Sequence, residues 1–301
     1  MLYRASAEVP GFKELIYRFE RSISVLGRSP STFSNYARHI AALTLHYGQI
    51  PTELDPEQIH EYLFLLQKRT HSPSQSYFKH TVYGLRFLLK CEGLPYSYLH
   101  LPEIKSEKKL PTVLSKEEVW AMLKHCTLLK HKILIGLLYG CGVRCMEVRS
   151  IRLADLNFDR AQLKVVQGKG KKDRYVPLSE HLIRGLKKYI AVEKPEEFLF
   201  GGQINGRAGG EFDSRYSQKG VQWAVKEAAK RAGICKNVHV HILRHTFATH
   251  LLEDGLDIIT LKDLLGHENI ETTMIYLHVA QNGRVKPFSP LDTLFAECKS
   301  K

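Results

Sequence analysis

One stretch of this 301-residue chain constrains the rest. From His241 to His278 it reads H-I-L-R-H-T-F-A-T-H-L-L-E-D-G-L-D-I-I-T-L-K-D-L-L-G-H-E-N-I-E-T-T-M-I-Y-L-H. Ile242, Leu243, Phe247, Ala248, Leu251 and Leu252 recur close to every 3.6 residues, the period of a helix with one buried face. Asp254-Gly255 supplies the stop chemistry of a helix C-terminus. Asp257 opens a second helix that ends at Leu265-Gly266, and a third covers roughly residues 271–278. His241 and Arg244 are three apart, so they share a helix face. His267 follows a glycine at a helix end, and Tyr276 lies on the next helix.

Those four side chains have a shared chemistry. Arginine presents a planar fork of donors that fits a phosphate bidentately. Histidine moves protons, or donates to a phosphoryl oxygen, near neutral pH. A tyrosine hydroxyl becomes a covalent nucleophile when a base and cationic neighbours stabilise its oxyanion. No carboxylate set for a metal accompanies them. The set suits metal-free phosphoryl transfer onto tyrosine. The same residue types also serve as helix caps, surface groups and core edges, and spacing alone does not separate the two uses.

The rest of the chain reads as two domains joined by a linker. Residues 1–94 carry four helical patterns. The first, 8–27, shows Phe12, Leu15, Ile16, Phe19, Ile23 and Leu26 on one stripe. Ser29-Pro30-Ser31 opens the second, Asp55-Pro56 the third and Ser72-Pro73 the fourth, with proline tolerated at the first helical position. Arg28, Arg38, His39, Lys68, Arg69, Lys79, His80 and Arg86 are scattered over this unit as a basic set. Residues 95–112 hold three of the prolines and no apolar period, as a linker does. In residues 113–301, Ser115-Lys116-Glu117-Glu118 is a capping box. An apolar helix over 130–140 ends at Gly140-Cys141-Gly142. Leu163–Val166 and Arg174–Leu178 are strands around the turn Q-G-K-G-K-K-D. Helices follow at 179–193 and 215–232. The intervening G-G-Q-I-N-G-R-A-G-G matches neither a P-loop nor a dinucleotide fingerprint, which argues against nucleotide binding.

The net charge of +13 points to a polyanionic partner, most simply nucleic acid. No apolar run reaches the length of a membrane span, and the first residues lack the apolar core of a signal peptide. The six cysteines fall at 91, 126, 141, 145, 235 and 298 with no metal or disulfide spacing. Free thiols in a reducing cytoplasm fit that pattern.

H-I-L-R-H-T-F-A-T-H-L-L, then L-L-G-H, then T-T-M-I-Y, resembles the tyrosine recombinases (phage integrases, Xer-type recombinases, integron integrases). The family pattern is H-x-x-R, a distal L-G-H, and a tyrosine nine residues later. Upstream, G-V-R-C-M-E is similar to the family's G-x-R-x-x-E, and G-K-G to its lysine-bearing hairpin. Cys141 and Cys145 depart from the small polar residues often found there. The resemblance covers the C-terminal two-thirds of the chain.

It implies a fold that is mainly α with a small β-sheet: an N-terminal four-helix core-binding domain plus a mixed α/β catalytic domain. It implies a site-specific recombinase acting on double-stranded DNA through a 3′-phosphotyrosyl intermediate, in integration, excision or resolution. Tyr276 is then the nucleophile. Arg144, Lys169, His241, Arg244 and His267 complete the catalytic set, with Glu147 holding Arg144 or a neighbour. Lys171 and Lys172 contact the DNA backbone, and Lys171 is the alternative to Lys169 as acid. No cofactor or metal is implied. Four protomers join two duplexes, and the apolar tail Leu291, Leu294 and Phe295 docks on the next protomer. Two rivals are a type IB topoisomerase-like nicking-closing enzyme and a DNA-binding regulator without catalysis.

Overall fold

Proline decides where the first helices break. The computed structural model describes residues 1–68, 75–94, 101, 110–166, 173–202 and 213–280. It divides into two compact units, Met1–Glu107 and Lys108–Lys301. In the first, the stripe expected over 8–27 is helix α2 (Phe12–Val25), and a further helix, α1 (Leu2–Glu8), precedes it. Pro10 lies between them and lacks the N–H that a continuing helix needs. The first unit therefore has five helices among its described residues, one more than the sequence pattern implied. Ser29 caps α3 (Pro30–Tyr47) by accepting from the Thr32 N–H at 3.3 Å. Helices α4 (Pro56–Lys68) and α5 (Gln75–Cys91) complete the unit. Phe12, Leu15, Phe19 and Ile23 of α2 bury against Ile40, Ala41 and Leu88. Leu43, Ile59, Leu63, Leu66, Val82 and Leu85 form a second cluster.

His39 does not belong with the surface bases. It is buried, its Nδ1 is 3.0 Å from the Thr81 hydroxyl, and its ring meets Tyr77 edge-on. Burial, helped by His80 and Arg38, lowers its pKa to about 4. It is neutral at pH 7 and offers no charge to a polyanion.

The second unit is built around α7 (Leu129–Gly140). Its Ile133, Leu134, Ile135, Leu137 and Leu138 are all buried, so it is apolar nearly all round. It packs between α9 (Glu180–Glu193) and α11 (Val240–Glu253). Helix α6 (Lys116–His125) starts at the expected capping box. The Ser115 hydroxyl accepts from the Glu118 N–H at 3.1 Å, and the Glu118 carboxylate accepts from the Ser115 N–H at 2.7 Å. A five-residue helix, α8 (Cys145–Arg149), follows α7.

The sheet is antiparallel, in the order β1 (Leu156–Asn157), β2 (Gln162–Val165), β3 (Arg174–Pro177). Leu163 pairs with Val176 and faces the core with it. The two longer strands match the sequence pattern. The third is only two residues long, too short to show alternation. Beyond it come α10 (Gln218–Arg231), then α11, then α12 (Ile258–Leu265), capped by Asp257. Last is α13 (Glu271–Met274), which runs into a 3₁₀ turn over Ile275–His278. No described helix is long and apolar enough to cross a membrane.

Candidate active site

Arg144 is placed by a glycine. Gly142 has φ +59°, and a Cβ there would lie 2.4 Å from the Phe247 ring of α11. Only a residue without a side chain lets the end of α7 lie this close to α11. The chain then sets Arg144 at the N-cap of α8. Its Nη1 donates to Glu147 Oε1 at 2.8 Å, its backbone N–H to Glu147 Oε2 at 2.7 Å, and its Nη2 to the Gly266 carbonyl at 3.3 Å.

Glu147 holds a second arginine. Arg174, the first residue of β3, donates to both carboxylate oxygens at 2.9 and 2.8 Å, and through Nε to the Leu264 carbonyl at 2.8 Å. Burial would raise the Glu147 carboxyl, but Arg174 and Arg144 outweigh burial and hold it down at about 2. One carboxylate thus ties the start of β3 to the segment that presents Arg144.

Arg244 projects from α11 and is 3% exposed. Nη1 donates to the Gly142 carbonyl at 2.6 Å, and Nη2 to the Leu265 carbonyl at 2.5 Å. Nη2 also donates to His267 Nε2 at 3.1 Å. A guanidinium cannot accept, so His267 Nε2 carries a lone pair and Nδ1 the proton. Nδ1 lies 2.9 Å from the Thr273 hydroxyl, which fixes the ring from its other side. Burial, then Arg144, lowers the Arg244 pKa to about 9. Its Nε–H and one Nη1–H have no acceptor among the described residues, and Arg244 lines the cavity described below.

Gly266 joins these parts. It ends α12 at φ +61°, and a Cβ there would lie 3.2 Å from the Arg174 guanidinium. The turn it makes delivers its own carbonyl to Arg144 and sets His267 beside Arg244.

Tyr276 sits in the 3₁₀ turn, 2% exposed. Its hydroxyl is 2.9 Å from His245 Nδ1. Burial pushes the phenol pKa up, and the charges of Arg244 and Arg144 oppose that. His241 and His245 are one turn apart on α11, with ring centroids 6.5 Å apart. Burial lowers the pKa of both, to about 4 for His245, and the neighbouring histidines and Arg244 push the same way.

Arg144, His241, Arg244, His245, His267 and Tyr276 all line one cavity of about 270 Å³. The structure therefore brings five of the six sequence-predicted catalytic residues together. Lys169, and with it Lys171 and Lys172, lies outside the described residues. Asp173, the next described residue after 166, lines an adjoining cavity of about 310 Å³ that shares Gly266, His267 and Glu268 with the first. Three polar residues of the site escaped sequence reasoning. His245 follows Arg244 directly and is four from His241, a helical spacing that could have flagged it. Arg174 and Thr273 gave no such signal, because their roles come from partners distant in the chain or hidden in a turn. The assembled surface is cationic and hydrogen-bonding, suited to an anionic group beside a tyrosine hydroxyl.

Residues 112–282 match the family model described as the phage integrase family. A tyrosine recombinase of Thermosipho africanus is 34% identical, covering 84% of this chain and 90% of its own length. Tyrosine recombinase XerA of Pyrococcus horikoshii is 32% identical over 88% of this chain and 89% of its own. The structure of the XerH site-specific recombinase bound to palindromic difH substrate, in a post-cleavage complex, superposes with a TM-score of 0.68. It covers 93% of this chain and 90% of that one at 19% identity, a likeness of fold.

Proposed function

We infer the reaction from one premise: the chain belongs to the phage integrase family and is a tyrosine-type site-specific recombinase. Its substrate is double-stranded DNA, in keeping with the net charge of +13. The observation that carries the mechanism is the Tyr276 hydroxyl sharing one cavity with Arg144, Arg244, His241 and His267. Tyr276 attacks the scissile phosphorus, a 3′-phosphotyrosyl bond forms, and the 5′ oxygen leaves as a hydroxyl. Arg144 and Arg244 hold the non-bridging oxygens and offset the charge that builds in the transition state. His267, oriented by Thr273 and Arg244, stands beside the same oxygens. Lys169, assigned from the family resemblance, protonates the departing oxygen. The family resemblance makes His241 the assisting base. The phosphotyrosyl bond conserves the energy of the phosphodiester, so a 5′-hydroxyl from another strand reseals it by the reverse step.

The first 94 residues act as the core-binding clamp, residues 95–112 as the linker and 113–301 as the catalytic domain. Four protomers assemble on two DNA sites, with the tail segment Leu291, Leu294 and Phe295 docking on a neighbour. DNA as substrate places the work in the cytoplasm.

A duplex carrying a nick next to the scissile phosphate tests the reading, because the short leaving strand diffuses away and traps the adduct. The wild-type chain becomes linked to DNA, whereas Tyr276→Phe binds the same duplex and forms no adduct. An adduct with Tyr276→Phe refutes the nucleophile assignment.

A further inference from the structure

The hydroxyl of Tyr276 carries a proton that must leave when its oxygen bonds to phosphorus. His245 is the one hydrogen-bond partner of that hydroxyl among the described residues, at 2.9 Å. The rings lie 5.6 Å apart, tilted by 49°. The hydroxyl is buried, and its contact with His245 allows two arrangements: Nδ1–H donating to the phenol oxygen, or the phenol donating to Nδ1 with the ring proton on Nε2. Base catalysis uses the second. The same hydroxyl makes no hydrogen bond to His241 in the described residues.

We propose that His245 is a catalytic residue: its Nδ1 takes the Tyr276 proton during cleavage and returns it during joining. This rests on Tyr276 being the nucleophile. In cleavage the Tyr276 oxygen–phosphorus bond forms and the phosphorus–5′ oxygen bond breaks. The hydroxyl proton passes to Nδ1, and the leaving oxygen takes its proton from Lys169. In joining, the 5′-hydroxyl gives its proton to the now neutral lysine, and the His245 imidazolium reprotonates the departing phenolate. Protons balance over the cycle with no other reactant.

Burial, then His241, His239 and Arg244, lower the His245 pKa to about 4, so the imidazole is neutral at pH 7 and, before substrate binds, only a weak base. Arg244 and Arg144 favour the phenolate on the other side of the bond. A phosphodiester anion docked against those two arginines offsets the positive field that suppresses His245, so its basicity rises when substrate is present.

The test is single-turnover cleavage of the nicked duplex by the full-length chain between pH 6 and 9. A positioned general base contributes roughly 100-fold or more. His245→Gln, which retains a hydrogen-bonding group but accepts no proton, is expected to cleave about 100-fold slower at pH 7. Its rate is expected to climb about tenfold per pH unit as hydroxide removes the proton instead, while the wild-type rate stays flat. A His245→Gln rate within about threefold of wild type, or a slower rate parallel to the wild-type profile, overturns the proposal. The nucleophile reading fails separately, by the absence of a Tyr276 adduct in the wild type. A second measurement needs no cleaving variant. ¹⁵N-histidine spectra of the wild type, with His245 assigned by its shift in Tyr276→Phe, are expected to show an unprotonated Nδ1. A protonated Nδ1 would donate to Tyr276 and overturn the assignment even if His245→Gln fails to fold.

Discussion

Replacing Glu147 by Gln keeps the shape of the side chain and removes the charge that two arginines share. The Glu147 side chain is only 6% exposed and accepts four hydrogen bonds, two from Arg174 and two from Arg144. Its carboxyl falls from 4.5 to about 2 in the folded chain. At ~1.4 kcal/mol per tenfold change in proton affinity, that is about 3 kcal/mol of stability. It is in line with the 3–5 kcal/mol typical of breaking a buried ion pair. A unit of roughly 150–250 residues loses about 2–4 °C per kcal/mol, so the variant is expected to melt about 6–12 °C lower at pH 7. Because the folded-state pKa is depressed, the wild-type advantage is fully present above about pH 4.5. It declines as pH falls through about 2, below which the carboxyl is protonated in both states. Urea midpoints for both proteins across pH 7 to 3 check this. The gap should hold constant down to pH 5 and narrow below it. Equal midpoints at pH 7, or a gap that widens on acidification, would refute the account of Glu147 as the shared anchor. Cleavage should fall with stability, because Arg144 loses the carboxylate that aims it.

Four further outcomes are expected. Gly142→Ala puts a methyl group into the Phe247 ring at a positive φ. It should cost about 1–3 kcal/mol in a thermal or urea melt, and an unchanged melt counts against the close approach. Arg244→Lys keeps the charge but loses the fork. Cleavage should drop by about one to two orders of magnitude, from roughly 1.5–3 kcal/mol per lost charge-assisted hydrogen bond, while DNA affinity in a gel-shift barely moves. DNA binding should weaken steeply with salt, with a log–log slope of about −0.9 per phosphate contacted, and a flat titration excludes a backbone-gripping clamp. Removing residues 288–301 should leave single-site binding intact and abolish pairing of two sites. A destabilised monomer that still pairs sites would show that the tail covers its own domain.

Much of the fold was legible because it rests on local chemistry. The Ser115–Glu118 capping box, the Asp257 cap and the Ser29 cap each announce a helix within four residues, and each is present. Apolar periodicity located α7 and α11 for the same reason. Helix α1 went unread because it is seven residues long and buries only Ala5, too little to show an apolar period. His39 was misread because a histidine is polar by composition, whereas its fate depends on Thr81 and Tyr77, about forty residues away. Within the site, residues bound by motif spacing could be named in advance. Arg174 could not, since its value lies in Glu147 and Leu264, which only the folded chain brings to it. His245 is intermediate. Its spacing placed it on the face of His241, but nothing in the sequence pointed it at Tyr276.

The charge inventory explains why this site should favour the transition state over the free enzyme. Arg144, Arg174 and Arg244 surround a single carboxylate, Glu147, so the cluster carries uncompensated positive charge. Arg244 is the most strongly affected, its pKa lowered first by burial and then by the charge of Arg144. Uncompensated charge in a low-dielectric site is destabilising until an anion arrives, and then it becomes attraction. The arginines do not need to move to deliver it. Arg244 is locked by carbonyls at both ends of its fork, Arg144 by Glu147 and Gly266, and α11 is fixed on its far face. There the Thr246 hydroxyl accepts from the Leu114 N–H at 3.1 Å, and His250 Nε2 donates to the Leu114 carbonyl at 3.0 Å. Fixed donors need no reorganisation as charge develops on phosphorus, which is the condition under which such donors lower a barrier rather than only bind the ground state. Tyr276, the proposed nucleophile, by contrast sits on the short 3₁₀ turn after α13 rather than on a long helix. The energetic design is therefore a rigid cationic cradle beside a tyrosine hydroxyl in hydrogen-bond contact with a neutral imidazole.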